Sequence, residues 1–273
     1  MQKLIGIFLT LLALCFAPIA PAQQGFIHTW QARATATQAA QPHWVTPLAT
    51  TTPRLEQEFR TDFDRQLTSE RTTTWNLGAG KGLELIPARR IELLLNVPPY
   101  LRHNSAAKAG FADTALMMKY RIYARNEEHG NSIVTVFFGG TIPTGSYSNG
   151  AAEATVSPTL AVGKGFGLFD VQSTAGVTIP VANADTLGRP VAWNTAFQYK
   201  TGPHFFPEVE FNTTFYNGGP RDGNVQNFVT PGLVGHWKLH HRLGVTLGAG
   251  MQIATSSYHS YNHGLILSAR MPF

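Results

Sequence analysis

Ionisable side chains occupy every second position of one early segment of the 273-residue chain. They are Glu56, Glu58, Arg60, Asp62 and Asp64, and they alternate with Leu55, Gln57, Phe59, Thr61 and Phe63. A period of two places the ionisable side chains together on one face of a β-strand. Acids and bases gathered on such a face either pair with one another or select permeating ions by charge.

Serine and histidine side chains offer a second kind of chemistry, the hydrolysis or modification of lipids. The closest neighbours of this kind are Ser256, Ser257 and His259, followed by Ser260 and His263. A serine nucleophile also needs a group that orients the histidine, and the sequence contains neither Gly-x-Ser-x-Gly nor His-Glu-x-x-His. We therefore predict that the chain is not an enzyme, binds no metal at His240-His241 and carries no cofactor.

The composition limits the classes of protein to which the chain can belong. Charged residues make up 14% of the sequence, whereas an ordinary soluble domain has about 25%. The hydrophobic content of 43% excludes general disorder. The net charge of +5 comes from scattered lysines and arginines without a basic run, so we expect no nucleic-acid partner.

The N-terminal residues have the pattern of a secretory signal peptide. Lys3 precedes the apolar run 4–17, and Ala20-Pro21-Ala22 supplies small residues for cleavage before Gln23. We predict that residues 1–22 are removed, and with them the single cysteine of the sequence. Export without a remaining thiol fits an oxidising compartment and excludes cysteine catalysis.

Alternation of apolar and polar residues continues to the C-terminus and predicts an all-β protein. We identify twelve such segments in residues 55–273, each with about 9–12 residues in a strand, which is enough to cross a bilayer when tilted. Lipid cannot satisfy exposed backbone groups, so strands span a membrane only as a closed sheet. We predict a transmembrane antiparallel up-and-down β-barrel of about 12 strands, apolar outside and polar in its lumen. A soluble secreted β-protein is the alternative.

Strand parity assigns a set of ionisable side chains to the lumen. The set consists of Glu56, Glu58, Arg60, Asp62, Asp64, Glu84, Glu92, Lys119, Arg121, Glu208, Glu210, Lys238 and Arg270. Charges at the bilayer midplane are destabilising by a few kcal/mol when they face lipid. Within a barrel of this size we expect these acids and bases mainly to pair, so that only a subset near the constriction sets selectivity. Separate charged rings are the alternative.

Residues 23–54 differ from the segments that follow. They contain Pro42, Pro47 and Pro53, a run rich in threonine and alanine, and no clear period. Proline at this density disfavours both a helix interior and a central strand. Two interpretations stay open: a disordered periplasmic tail, or a segment folded into the periplasmic mouth of the barrel with Trp44 as an anchor, which would narrow the pore.

The C-terminal strand carries a possible assembly signal. Phe273, Met271, Ala269, Leu267 and Leu265 fall on one face when counted back from the end. This pattern resembles the terminal strand of bacterial outer-membrane barrels, in which a final phenylalanine closes an alternating apolar strand. The resemblance implies that Phe273 contributes to recognition by the barrel-assembly machinery.

Several further segments resemble one known family. They are residues 44–59, 110–113, 136–145 and 157–167, which read WVTPLATTTPRLEQEF, GFAD, VFFGGTIPTG and SPTLAVGKGFG. They are similar to the outer-membrane transporters of the MetA-pathway of phenol degradation family. The resemblance implies an outer-membrane β-barrel that passes small, often aromatic or apolar, compounds.

From the residues and the resemblance together we predict a passive channel in a bacterial outer membrane. Its partners would be outer-membrane lipid, the barrel-assembly machinery and a small apolar or aromatic solute. A non-conducting barrel with a structural or adhesive role is the main alternative, and a lipid-modifying enzyme is the third.

Overall fold

The computed structural model describes the backbone of residues 21–273 and the side chains of residues 25–273. Helix α1 (Pro21–Ala39) is the first element. The predicted signal peptide, residues 1–22, lies outside the described residues apart from the backbone of its last two. No helix within residues 21–273 is both long and apolar enough to cross a bilayer.

Sixteen strands follow α1 in the described part of the chain and form one antiparallel sheet. They are β1 (Glu58–Leu67), β2 (Thr73–Gly78), β3 (Gly82–Ala88), β4 (Ile91–Asn96), β5 (Tyr100–His103), β6 (Gly110–Phe111), β7 (Thr114–Arg125), β8 (Ser132–Ile142), β9 (Thr155–Phe166), β10 (Phe169–Val177), β11 (Ile179–Pro180), β12 (Val191–Tyr199), β13 (Phe205–Phe215), β14 (Val225–His240), β15 (Leu243–Ala254) and β16 (His263–Pro272). A second helix, α2 (Ala184–Leu187), lies between β11 and β12.

Four pairs of neighbouring strands are each two halves of a single crossing. β2 continues into β3, β4 into β5, β6 into β7, and β10 into β11, so the sixteen strands make twelve crossings. β1 accordingly pairs with β2 from Asp62 to Leu67 and with β3 through Glu58 and Phe59. Pro98 and Pro99 separate β4 from β5 because proline has no N–H to donate to a ladder.

The sheet closes through its first and last strands. β1 and β16 pair antiparallel from Glu58 with Pro272 to Leu67 with His263. Closure removes the unpaired sheet edges that lipid could not satisfy. The predicted transmembrane barrel of twelve antiparallel strands is confirmed. β1 begins and β16 ends at the same end of the barrel, which we call the inner end; the opposite end is the outer end.

A carboxylate organises one of the long loops at the outer end. Asp113, between β6 and β7, accepts hydrogen bonds from the backbone N–H groups of Gly145 (2.8 Å) and Ala151 (2.6 Å). The His103 imidazole also contacts the Asn149 side chain at 2.8 Å. These contacts draw loop 143–154 onto neighbouring crossings. Asp113 and Gly145 belong to the segments 110–113 and 136–145 of the sequence, so both segments help to position this loop.

The outer face of the barrel is apolar, as the alternation predicts. Large side chains such as Leu95, Phe138, Leu160, Phe211 and Leu247 are exposed on it. The intervening polar side chains face the lumen and are mostly buried. Scarce charge and abundant exposed hydrophobic area are therefore both consequences of a lipid solvent.

A cation on this face should destabilise the barrel strongly. Phe211 lies near the middle of β13, where it packs against Phe197 with ring centroids 6.0 Å apart. We expect Phe211→Arg to lower the free energy of unfolding in lipid vesicles by about 2–4 kcal/mol, measured by urea titration. Val181→Arg, in an exposed outer loop, is the matched control and should change stability little. Equal effects of the two substitutions would contradict the assignment of the lipid face.

The first strand of the barrel starts a few residues after the beginning of the alternating pattern at residue 55. β1 begins at Glu58, and Leu55 and Gln57, which parity places on the lipid face, are only 0% and 1% exposed. The reason is that the chain is still inside the barrel mouth at these residues. Leu55 packs with Ala34 of α1 and Ile86 of β3. Helix α1 was not predicted because residues 23–54 show no clear period in the sequence. The helix ends at Ala39, before Pro42.

Candidate functional site

Residues 41–57 enter the barrel from the inner end and return to it; we call them the plug segment. Most of its side chains are buried. Its two ends lie side by side, because the Gln41 side chain donates to the Leu55 carbonyl (2.9 Å) and accepts from the Leu55 N–H (3.0 Å). The segment is therefore a loop with a closed neck and a tip inside the lumen.

Two arginines on adjacent strands hold carbonyl groups of the plug tip. Arg60 on β1 donates to the Leu48 carbonyl at 2.6 Å. Arg270 on β16 donates to the Pro47 carbonyl at 2.8 Å and also to the Thr46 carbonyl. Arg60 is paired in turn with Asp62 at 2.6 Å. Hydrogen bonds from a charged donor are about twice as strong as neutral ones.

Two glutamates on another side of the lumen hold N–H groups of the same tip. The Glu210 carboxylate on β13 accepts from Ala49 (2.7 Å) and Thr50 (2.5 Å). Glu208 accepts from the Leu48 N–H at 3.1 Å. The two arginines therefore donate hydrogen bonds to the carbonyls of residues 46–48, and the two glutamates accept hydrogen bonds from the N–H groups of residues 48–50. We call this arrangement the tip clamp.

A second charge cluster surrounds the neck of the plug segment. Lys119 on β7 lies 3.0 Å from Glu92 and 4.0 Å from Glu84, and donates to the Arg54 carbonyl at 3.3 Å. The Glu92 carboxylate also accepts from the Glu56 N–H at 2.5 Å. The ion pairs of the lumen wall thus double as receptors for the backbone of the plug segment.

Two apolar side chains anchor the plug segment in recesses formed by glycines. A Cβ atom on Gly163 of β9 would lie 2.5 Å from the Trp44 ring, and one on Gly165 would lie 2.7 Å from its Nε1. Leu48 occupies a similar recess between β14 and β15, formed by Gly232, Gly248 and Gly250. The inner wall therefore has space for these two side chains because glycine lacks a Cβ.

Filling the Trp44 recess should release the plug segment. We expect Gly163→Val to overpack the site by about 1–3 kcal/mol and to expose the bond after Arg54, which is otherwise buried, to trypsin. The measurement is the rate of cleavage at that bond. In a Trp44→Ala background, where the recess is empty, the added effect of Gly163→Val should largely disappear. Full additivity of the two substitutions would contradict the contact.

The residues assigned to the lumen by parity occupy three environments. Those buried inside the barrel are Glu56, Glu58, Arg60, Asp62, Glu84, Glu92, Lys119, Arg121, Glu208, Glu210 and Arg270. Asp64 is half-buried toward the outer end, and Lys238 is exposed at the inner rim. Some acids and bases pair with each other, while Glu208, Glu210 and Arg270 bind the plug backbone. A role of these residues in solute passage stays a prediction.

One protein-family profile matches most of this chain. The profile of the family described as "Putative MetA-pathway of phenol degradation" matches residues 31–262. The chain belongs to this family.

Solved structures similar to this family member are outer-membrane barrels. The crystal structure of an outer membrane channel from Pseudomonas putida F1 matches with a TM-score of 0.59 and 15% identity, and covers 84% of this chain and 100% of that chain. The structure of the NanC porin matches with a TM-score of 0.50 and 9% identity, and covers 78% of this chain and 98% of that one. At these identities the likeness shows the fold. A comparison with curated proteins finds no sequence match.

Several residues that contact the plug segment were not identified from the sequence. Gln172 on β10 donates to the Val45 carbonyl at 3.0 Å and accepts from the Thr52 hydroxyl at 2.7 Å. Thr135 on β8 donates to the Pro53 carbonyl at 2.6 Å. Gln172 and Thr135 lie at inward-facing positions of their strands. They were not identified because they carry no charge, and only ionisable residues were assigned to the lumen.

The inner rim holds the entry of the plug segment with one further contact. Glu127, in the connection between β7 and β8, accepts from the His43 backbone N–H (2.6 Å) and lies 2.7 Å from the His43 ring. Burial alone would raise the pKa of Glu127, but these hydrogen bonds lower it below its usual value. The contact is therefore present at neutral pH and is lost only as the pH falls through that lowered pKa.

Two cavities flank Trp44 and His43 at the inner end of this family member. One has a volume of about 320 Å³ and lies toward β14, β15 and β16, where Lys238 and Arg242 line it. The other has a volume of about 210 Å³ and lies toward β10 and β13, with Asp170 among its lining residues. The plug segment thus fills the centre of the inner mouth and leaves space on both sides.

The outer loop with neighbouring serines and histidines does not form a nucleophile pair. The Ser256 hydroxyl donates to the Tyr258 carbonyl at 2.7 Å. The two ring nitrogens of His259 contact the Ser256 carbonyl and the Asn262 side chain, each at 2.9 Å. The imidazole is therefore occupied by groups other than a serine hydroxyl. Within the described residues, no three His, Cys, Asp or Glu side chains gather as a metal site.

Proposed function

We propose that the protein is a passive outer-membrane channel for small neutral compounds of apolar or aromatic character, closed at rest by the plug segment. The tip clamp is the observation that carries this proposal. A segment meant to stay permanently in a barrel would be expected to pack as a dry core. Here it is held largely by hydrogen bonds between its backbone and charged side chains.

Release of the plug segment is feasible because polar contacts hold it and water can replace each hydrogen bond that is lost. A hydrogen bond to a charged group contributes about 1.5–3 kcal/mol net, since both partners are solvated when it breaks. An apolar contribution at the tip comes from Val45 and Leu48, which pack against Phe206, Val234 and Ile266. We infer that the plug segment can leave the lumen while the barrel stays folded, because residues 41–57 are not part of the sheet.

The lining of the outer half of the lumen supports a neutral solute. Its inward-facing side chains are mainly hydroxyls and amides that are half-buried and so border open space, among them Asn76, Asn96, Thr141, Thr155, Asn194 and Gln252. Such groups offer hydrogen bonds to a phenolic hydroxyl without concentrating ions. The family description, which names phenol degradation, supports the same class of solute.

Solute passage is tested in an asymmetric membrane with lipopolysaccharide in its outer leaflet, because small aromatics cross simple lipid bilayers unaided. We expect protein-dependent entry of phenol and toluene that exceeds entry of a disaccharide supplied at the same concentration. Membranes that contain an unrelated barrel of similar size are the control. Equal entry of phenol with and without the protein would contradict the proposed solute class.

The occupied lumen also favours the second candidate, a non-conducting barrel with a structural or adhesive role. Planar bilayer recordings distinguish the two. Discrete openings of the full chain support the channel, whereas silence of both the full chain and a chain with a shortened plug segment would favour the non-conducting barrel.

We also propose that Phe273 acts as an assembly signal read by the barrel-assembly machinery. The outward-facing Leu267 and Met271 of β16 are exposed, and the Phe273 N–H continues the pairing beyond the strand by donating to the Gln57 carbonyl at 3.2 Å. Deletion of Phe273 should lower the yield of folded, heat-modifiable barrel in cells while leaving refolding in detergent unchanged. An unchanged cellular yield would contradict the role.

A further inference from the structure

The inner wall of the barrel divides into two sectors that differ in charge. On the sector from β8 to β15, the inward-facing ionisable side chains within the membrane span are Asp170, Glu208 and Glu210, all of them buried carboxyls. No lysine or arginine nitrogen lies within 4 Å of their carboxylates among the described residues. Lys200, which lines a cavity together with Asp170, and Lys238 also belong to this sector but are exposed at the inner rim. We call the three residues the carboxylate wall.

The remaining sector, formed by β16 and β1 to β7, is balanced. It has five acids and five bases that face the lumen: Glu58, Asp62, Asp64, Glu84 and Glu92 with Arg60, Lys81, Lys119, Arg121 and Arg270. Several of these groups pair directly, as Arg60 does with Asp62 and Lys119 with Glu92. Their fields largely cancel at the distance of the opposite wall.

Neutral groups satisfy the carboxylate wall while the plug segment is in place. Glu208 and Glu210 accept backbone N–H groups of residues 48–50, and Asp170 accepts from the Gln172 amide at 3.0 Å. The charged residues at the neck of the plug segment, Arg54 and Glu56, form an ion pair of 3.0 Å with each other. Departure of the plug segment therefore removes hydrogen-bond donors from the carboxylate wall and removes no net charge from the lumen.

We propose that the carboxylate wall makes the opened lumen select cations over anions, including organic cations whose N–H groups replace those of residues 48–50. This proposal rests on the proposed channel function. An excess of negative charge on one wall of a narrow lumen attracts cations, and water that enters with them keeps the carboxylates ionised. Neutral phenols pass such a lumen, whereas anions such as benzoate are held back.

The reversal potential of the full-length protein in a planar bilayer with a tenfold KCl gradient tests this inference. We expect a K⁺ over Cl⁻ permeability ratio of about three or more, which falls to about one in the double variant Glu208→Gln, Glu210→Gln. Glutamine keeps one of the two acceptor oxygens of each carboxylate, so the variant removes charge with little change in shape. Glu70→Gln, in the exposed outer turn after β1, removes one negative charge outside the lumen and should leave the ratio unchanged.

Assembly of each variant is checked by heat-modifiable migration. If the double variant does not assemble, Asp170→Asn replaces it and should lower the ratio by a smaller factor. Conductance with a ratio at or below one, or a ratio that the neutralised variants do not change, would overturn the cation selectivity alone. Absence of conductance in both the full chain and a chain with a shortened plug segment would overturn the channel function and this inference with it.

Discussion

Replacement of residues 43–53 by a Gly-Ser-Gly linker is expected to raise the time-averaged conductance of the barrel by about tenfold or more. The substitution removes both anchors, Trp44 and Leu48, and every backbone group held by the tip clamp. It leaves the neck intact because Gln41 bonds to Leu55 through its side chain. A short linker can therefore join the two arms without strain.

Single-channel recording in planar bilayers measures this effect. The same linker in place of residues 219–223, in the outer loop between β13 and β14, is the matched control and should leave conductance close to that of the full chain. Both variants must show the heat-modifiable migration of a closed barrel. Conductance that stays at the level of the control would mean that the plug segment does not close the lumen.

Glu210→Ala is expected to have the second largest effect, because it removes both hydrogen bonds to the N–H groups of Ala49 and Thr50. At about 1.5 kcal/mol or more for each bond to a charged acceptor, the loss amounts to about 3 kcal/mol. The ratio of open to closed states should then rise roughly a hundredfold. Open probability in single-channel records is the measurement.

Glu210→Gln is the matched control for this substitution. It keeps one acceptor oxygen in place and should shift the open probability much less than alanine does. Cleavage after Arg54 by trypsin provides a second measurement that does not depend on conductance. The clamp would be contradicted if alanine and glutamine gave the same open probability, or if alanine left the cleavage rate unchanged.

The barrel could be predicted from the sequence because its determinants are local. Alternation over about ten residues fixes which side chains of a strand face lipid. The same parity places Lys119 and Glu92 on the inner face, although the sequence does not show that they pair. Strand order also follows from the sequence, since consecutive crossings of an up-and-down barrel pair with each other.

The plug segment could be neither placed nor excluded from the sequence, because its contacts join residues that are far apart along the chain. Arg270 holds a carbonyl at Pro47, and Glu210 holds the N–H of Thr50. One signal was present, since Gly232, Gly248 and Gly250 stand at inward positions of strands. Glycine there often marks close approach of another group, and here that group is Leu48.

Arg60 and Arg270, which hold consecutive carbonyls of the tip, lie on the two strands whose pairing completes the cylinder. The plug segment thus bridges, from inside the lumen, the seam between the first and last strands of the barrel. Release of the plug segment therefore also removes the hydrogen bonds by which Arg60 and Arg270 link the two strands through the plug, while the backbone pairing of β1 with β16 stays in place.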